Sequence, residues 1–311
     1  MRIAAFLSTV AFLTGCSPSS PQDFSDVLPD ERLKINLPVG DTSGLRTDVG
    51  DTSEYFLFTA QVTSEVNGLM GQVLDAVDAI TDFEPTWADD GERTALWGPW
   101  TEDGVEAVLA VHQDPSEDTY AWGLDLRSEG EGDEDWITVF AGEVEAGATE
   151  VESAGRLAID FEALSDIDGE DITGVFYVEY DLTEEGTSAS AGFEAFSEDG
   201  GDETDVAYFY DQEHDEGGMM DLVFLDDVTG NDVPEVHIVR SRWHKEGDGR
   251  ADGYVTEGDF GALVYQATEC WKQDHAVTFY EDNASLISHG DVSDCTFSEP
   301  DWNDSDEAPA Q

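Results

Sequence analysis

The sequence predicts a mainly β, α+β protein: a curved antiparallel β-meander or partial barrel packed on one long N-terminal helix. Three observations predict it. A 3.6-residue apolar period runs through 52–81, a period of two takes over from about residue 93, and acidic, glycine-bearing turns separate the alternating runs without intervening helices.

The helix rests on Tyr55, Phe58, Val62, Val66, Leu69, Val73, Val77 and Ile80, which recur at spacings of three and four and form one stripe. Asp51 followed by Glu54 reads as a capping box with Asp in the Ser/Thr role. Gly68 and Gly71 each weaken a helix by about 1 kcal/mol relative to Ala, which points to close approach by another element.

The strands follow in order. Alternation marks Val105–His112, Tyr120–Arg127, Trp136–Glu143, 155–164, 174–182, Ser188–Phe196, Asp205–Asp211, Met219–Leu225 and Glu235–Trp243. Their alternation is one-sided, so the sheet has an apolar face that needs a lid, and 52–81 is the available one. A long single sheet also tends to curl. Helix against open half-barrel resembles, in architecture alone, the LolA-type carriers of lipids and lipoproteins.

The N-terminus carries an address. Arg2 precedes an apolar run from Ile3 to Leu13, too short for a membrane span, which needs about 20 residues, but suited to a secretory signal. Its ending, Leu13-Thr14-Gly15-Cys16, resembles the lipobox of bacterial lipoproteins. That resemblance implies cleavage before Cys16, acylation (palmitate-type chains) of Cys16 and a lipid-anchored protein of the cell envelope. Ser17 is not an Asp-type inner-membrane retention signal, so the outer membrane is favoured. The expected organisation is a signal peptide over 1–15, an acidic flexible tether over 16–50, one β-rich domain over 51–300 and a disordered acidic tail over 301–311. With Cys16 lipidated, Cys270 and Cys295 remain as one pair outside the cytoplasm, where a disulfide persists. Two free thiols or half a metal site are the alternatives.

Composition restricts partners. The chain has 73 Asp and Glu against 12 Lys and Arg, a net charge of −61. Nucleic acid and anionic membrane surfaces repel such a chain. Self-repulsion of this size favours salt that screens it, as around a marine or halophilic host. A hydrophobic content of 40%, with eight Trp and sixteen Phe, nonetheless supplies a core.

Two acidic loops suggest calcium. Asp227 to Glu235 is similar to the calcium loops of FG-GAP repeats, which implies oxygen ligands from Asp227, Thr229, Asn231 and Glu235. A plain turn between strands accounts for the same residues. Asp248 to Asp259 resembles an EF-hand or dockerin loop, but Arg250 stands at its third ligand position, and a glycine-rich hairpin is the preferred reading. Four of the 12 basic residues gather at Arg240, Arg242, Lys245 and Arg250, beside His237 and His244. They suit either a carboxylate or phosphate ligand or neutralisation of adjacent acidic strands. The blocks Ser241-Arg242-Trp243, Gly249 to Asp252, Thr268 to Trp271 and Cys295-Thr296-Phe297 are similar to the C-terminal part of acidic lipoproteins of the myxobacterial type, for which no activity is implied.

The chain carries no nucleophile elbow, zinc helix, phosphate loop or dinucleotide fingerprint. The expectation is therefore a membrane-anchored, non-catalytic protein without a required cofactor, touching the bilayer through Cys16 and holding a lipid-like or apolar ligand in its half-barrel. A calcium-stabilised structural or adhesive envelope protein is the alternative, and a hydrolase ranks below both.

Overall fold

The computed structural model describes residues 50–297, apart from 82, 90–92, 115–118, 146–151, 170, 199, 202, 214–215, 228–229 and 232, together with Leu28, Leu33, Lys34 and Leu37. Cys16, the rest of the signal and tether, and the acidic tail lie outside the described residues.

One long helix precedes the sheet: α1 (Glu54–Thr81). Then come β1 (Trp87–Asp89), β2 (Thr94–Glu102), β3 (Val105–Asp114), β4 (Thr119–Ser128), β5 (Ile137–Glu145) and β6 (Ser153–Asp160). A short α2 (Phe161–Asp168) interrupts before β7 (Ile172–Leu182), β8 (Gly186–Glu198), β9 (Thr204–Glu213), β10 (Gly217–Asp226) and β11 (Glu235–His244). The sheet ends with β12 (Gly249–Glu257), β13 (Gly261–Trp271), β14 (Val277–Asp282) and β15 (Ser288–Gly290). Among the described residues, the fifteen strands form one open sheet whose spatial order is the sequence order, each pair antiparallel. The expected β-meander on an N-terminal helix is the observed fold, and the sheet does not close into a barrel.

The helix crosses the sheet. At its start the Tyr55 N–H donates to Glu269 on β13 (3.0 Å), and Thr59 meets Ser241 on β11 (2.6 Å). Just beyond its end, Trp97 on β2 donates to the Phe83 carbonyl (3.0 Å). Eleven strand spacings of about 4.8 Å cover roughly 50 Å of sheet, whereas 28 residues rise only about 40 Å. The sheet therefore bends around the helix, which lies along a chord.

Glycine–aromatic pairs recur across the sheet. Trp122 stands opposite Gly142, Tyr180 opposite Gly155, and Tyr177 opposite Gly192. Trp243 faces Gly218 and Trp271 faces Gly249 in the same way. In each pair the ring covers the glycine so closely that a Cβ there would fall 2.4–2.7 Å from a ring or hydroxyl atom. Aromatic side chains lying flat over cross-strand glycines pin the register and exclude water from exposed backbone.

Most of the core lies between α1 and the sheet, with Met70, Val73 and Val77 meeting Trp97, Leu109, Ile159 and Phe176. Leu28 and Leu33, 8% and 4% exposed, join the same core. The segment expected to be a free tether thus contributes buried side chains before residue 50.

Several local expectations are corrected. The helix cap is not Asp51 with Glu54: the Ser53 hydroxyl accepts the Phe56 N–H (2.9 Å), and the Glu269 carboxylate from β13 accepts the Tyr55 N–H and the Ser53 hydroxyl. A remote carboxylate takes the role because the helix N-terminus presents unsatisfied N–H groups and partial positive charge. Gly68 has nothing within 4 Å of a would-be Cβ and Gly71 only the Lys34 Cε at 3.8 Å, so neither glycine marks a tight approach. The alternation at 155–164 breaks at Phe161, because Asp160 caps α2 by accepting the Ala163 N–H (3.0 Å). The EF-hand-like stretch, by contrast, matches the preferred hairpin reading: it is strand β12, whose backbone is committed to ladders with β11 and β13.

Candidate functional site

The face of α1 that the sheet buries deepest is not the whole apolar stripe. Phe56, Thr59, Thr63, Met70, Val73, Leu74 and Val77 are buried, whereas Phe58, Val62, Val66 and Leu69 are only partly covered. The half-covered residues line a groove between helix and sheet, in two adjoining clefts. One, of about 410 Å³, is walled by Val62, Val66 and Leu69 against Phe176, Phe193 and Val206. The other, of about 470 Å³, lies between the first turn of α1 and strands β11–β14. Phe58 and Phe224 line both clefts, and their rings stand 6.2 Å apart at the junction.

The second, larger cleft is more polar. Glu54 and Tyr55 enter from α1, His237 from β11, Glu269 from β13, and Tyr280 and Asp282 from β14. Glu269 is 0% exposed; its Oε1 holds the helix cap while its Oε2 has no hydrogen-bond partner. Burial pushes its carboxyl from about 4.5 up to about 7, against the lowering effect of the Ser53 and Tyr55 donors. His237 stacks on Phe224 (4.8 Å) and its buried Nε2 also lacks a partner. Burial lowers the His237 pKa, favouring the neutral ring. Burial, then the Asp282 charge, lifts the Tyr280 hydroxyl to about 12. A buried polar atom left unpaired costs about 1–3 kcal/mol, so two at one cleft are a functional signal.

Of the residues singled out by sequence, His237 lines the larger cleft, whereas Asp227, Asn231, Glu235, Arg240, Arg242, Lys245 and Arg250 line neither cleft. Asp227 accepts the Gly230 N–H (2.7 Å), and Asn231 accepts the Val233 N–H (3.0 Å) and donates to Asp259. Glu235 is fully buried and accepts the Asp259 N–H (3.1 Å). Thr229 lies outside the described residues. These oxygens organise a turn, and among the described residues no group of three or more His, Cys, Asp or Glu is placed to hold a metal. Melting with calcium and with chelator at fixed ionic strength is expected to give the same midpoint if these oxygens serve the turn alone; a midpoint raised by calcium would support the ion-binding reading.

The basic cluster occupies the sheet face away from α1. Arg240 stands 3.6 Å from Asp221, and buried Arg250 makes a two-pronged pair with Asp252 (2.8 Å each), which Thr268 also donates to (2.6 Å). Arg242 faces Arg250 across the β11–β12 ladder, and Lys245 is exposed in the following turn. Arg127 with Glu106 (2.6 Å) and Arg156 with Glu143 (2.5 Å) repeat the pattern elsewhere. The arrangement suits neutralisation of acidic strands. Over the same face lies the C-terminal segment, fastened by the Cys270–Cys295 disulfide, a 3.4 Å contact from Arg250 to the Phe297 carbonyl, and Phe297 against His244 (4.5 Å).

Compared with protein-family models, curated proteins and solved structures, the chain matches none. The fold and groove alone therefore define its class: an open β-meander bent over one long helix, with a half-filled seam between the two layers.

Proposed function

We propose that the protein is a non-catalytic, lipid-anchored envelope domain that holds a lipid-like ligand in the seam between α1 and the sheet. The observation that carries this reading is the pair of adjoining clefts, about 470 and 410 Å³, left between the layers. Pockets of about 300–1,000 Å³ with apolar walls and a few placed polar groups suit small amphiphiles. Exposed apolar side chains stand beside the larger cleft: Leu286 (83% exposed) and Ile287 follow its lining residues Ala284 and Ser285, and Leu263 and Val264 precede Tyr265. A hydrogen bond from Asn283 to the Val264 carbonyl (3.1 Å) ties the two segments. Such a rim suits transfer of an apolar chain to and from a membrane, to which acylated Cys16 would keep the domain close.

The uncharged dye N-phenyl-1-naphthylamine tests the seam. The whole chain is expected to bind it with enhanced fluorescence. Val62→Trp, which places an indole in the smaller cleft, is expected to weaken that binding about tenfold or more. No enhancement, or enhancement indifferent to Val62→Trp, would reject the reading.

A further inference from the structure

Resting on the ligand-seam reading, we infer that the larger cleft receives the positively charged head of an organic amine or ammonium whose apolar chain passes Phe58 and Phe224 into the smaller cleft. Three carboxyl groups from three elements face the larger cleft: Glu54 from α1, Glu269 from β13 and Asp282 from β14. Among the described residues no Lys or Arg lines it, and the imidazole there, His237, is held toward the neutral form. Anionic heads are thereby disfavoured. Tyr55, Tyr265 and Tyr280 add π faces, which attract cations and are common walls for ammonium groups.

The buried Glu269 Oε2 supplies the independent observation. It is an acceptor without a donor in a wall of the cleft. An ammonium N–H would satisfy it with a charge-assisted bond, while a quaternary head would neutralise it without one. A metal ion suits the cleft less well, because among the described residues no group of three or more His, Cys, Asp or Glu is placed to hold one. A cation spread over an organic head matches acids that arrive from separate elements. The Glu269 carboxyl, raised to about 7, would return toward its ionised form when such a head binds, so binding would strengthen as the pH rises through that value. Among the described residues, the other titratable groups lining the cleft are Glu54, Tyr55, His237, Tyr254, Tyr265, Tyr280 and Asp282.

The test compares decylamine, decanol and decanoate by calorimetry on the whole chain carrying Cys16→Ser, which removes its own acyl chains. About 0.5 M NaCl screens the net charge, the Debye length then being under about 5 Å. At about pH 8, decylamine is expected to bind about tenfold more tightly than decanol, and decanoate the most weakly. Glu269→Gln is expected to erase the amine's advantage and leave decanol unchanged, which also shows that the variant is folded. Glu129→Gln, an exposed carboxylate far along the sequence, is expected to change neither. Equal binding of amine and alcohol, or an amine advantage that survives Glu269→Gln, would overturn the charged-head assignment while leaving the apolar seam intact. Loss of decanol together with decylamine in Glu269→Gln would overturn it too. Failure of all three compounds to bind would reject the seam itself.

Discussion

Gly142→Ala is expected to destabilise the protein by about 1–3 kcal/mol, the usual cost of overpacking, and to lower its melting midpoint by roughly 2–10 °C for a domain of this size. A Cβ at Gly142 would stand 2.5–2.6 Å from three ring atoms of Trp122, and the nearest obstacles are all side-chain atoms of that indole. Trp122 is itself buried in the main core between sheet and helix, so its ring has little room to retreat. The same substitution at Gly68 provides the contrast. Nothing lies within 4 Å of its Cβ, and Ala is a better helix former by about 1 kcal/mol, so Gly68→Ala is expected to raise the midpoint. A double-mutant cycle with Trp122→Leu isolates the contact. Trp122→Leu is costly alone, but Gly142→Ala should cost little in its background, leaving a coupling of about 1 kcal/mol or more. A full penalty for Gly142→Ala without the indole would show that the glycine serves the backbone and not the ring.

These pairs also show where the sequence was legible. Alternation located β3 to β11, because one wet and one covered face print a period of two on each strand. The ends of the sheet were not read. β12 begins Gly249-Arg250-Ala251-Asp252-Gly253, whose glycines and paired charges mimic a loop, yet all five residues are buried, beneath Trp271, Tyr55 and the Arg250–Asp252 pair among others. Tertiary partners that are remote in sequence supply what the strand lacks in propensity. The stripe of α1 was seen correctly but its meaning was split: Val73 and Val77 fill the core, whereas Phe58, Val62, Val66 and Leu69 border the seam. Nothing in a 3.6-residue period distinguishes a covered apolar side chain from one facing a groove. Glu269 was missed for a simpler reason. One glutamate among 73 acidic residues carries no mark, and its importance arises only when β13 sets it under the first turn of α1. The one available signal was its place within Thr268-Glu269-Cys270-Trp271, an acid beside residues that the fold buries.

Glu269→Gln is expected to make the protein more stable above about pH 7 and to give no such gain near pH 4.5. The side chain keeps an oxygen to accept the Tyr55 N–H and Ser53 hydroxyl, so the helix cap survives, while the ionisable group disappears. The sign follows from linkage. Burial raises the carboxyl from about 4.5 to about 7 in the folded chain, so between those values the folded state binds more protons than the unfolded one. Stability contributed by the protonated group is fully present below about 4.5 and is lost as the pH rises through about 7. At about 1.4 kcal/mol per pH unit, the loss is on the order of 3 kcal/mol. Asp125, Asp211 and Glu213 are also raised and give the chain a background slope of the same sign. The measurement is therefore the difference between wild type and Glu269→Gln in melting midpoint across about pH 4.5 to 8. A difference that stays flat over that range would show that Glu269 ionises freely in the folded protein. A difference that grows toward alkaline pH would identify a buried charge that the unliganded fold bears at its own expense. Such a charge is weak evidence for stability and good evidence for a site. The same substitution that steadies the empty protein is the one expected to erase its preference for an amine, and that opposition separates a binding carboxylate from a mere helix cap.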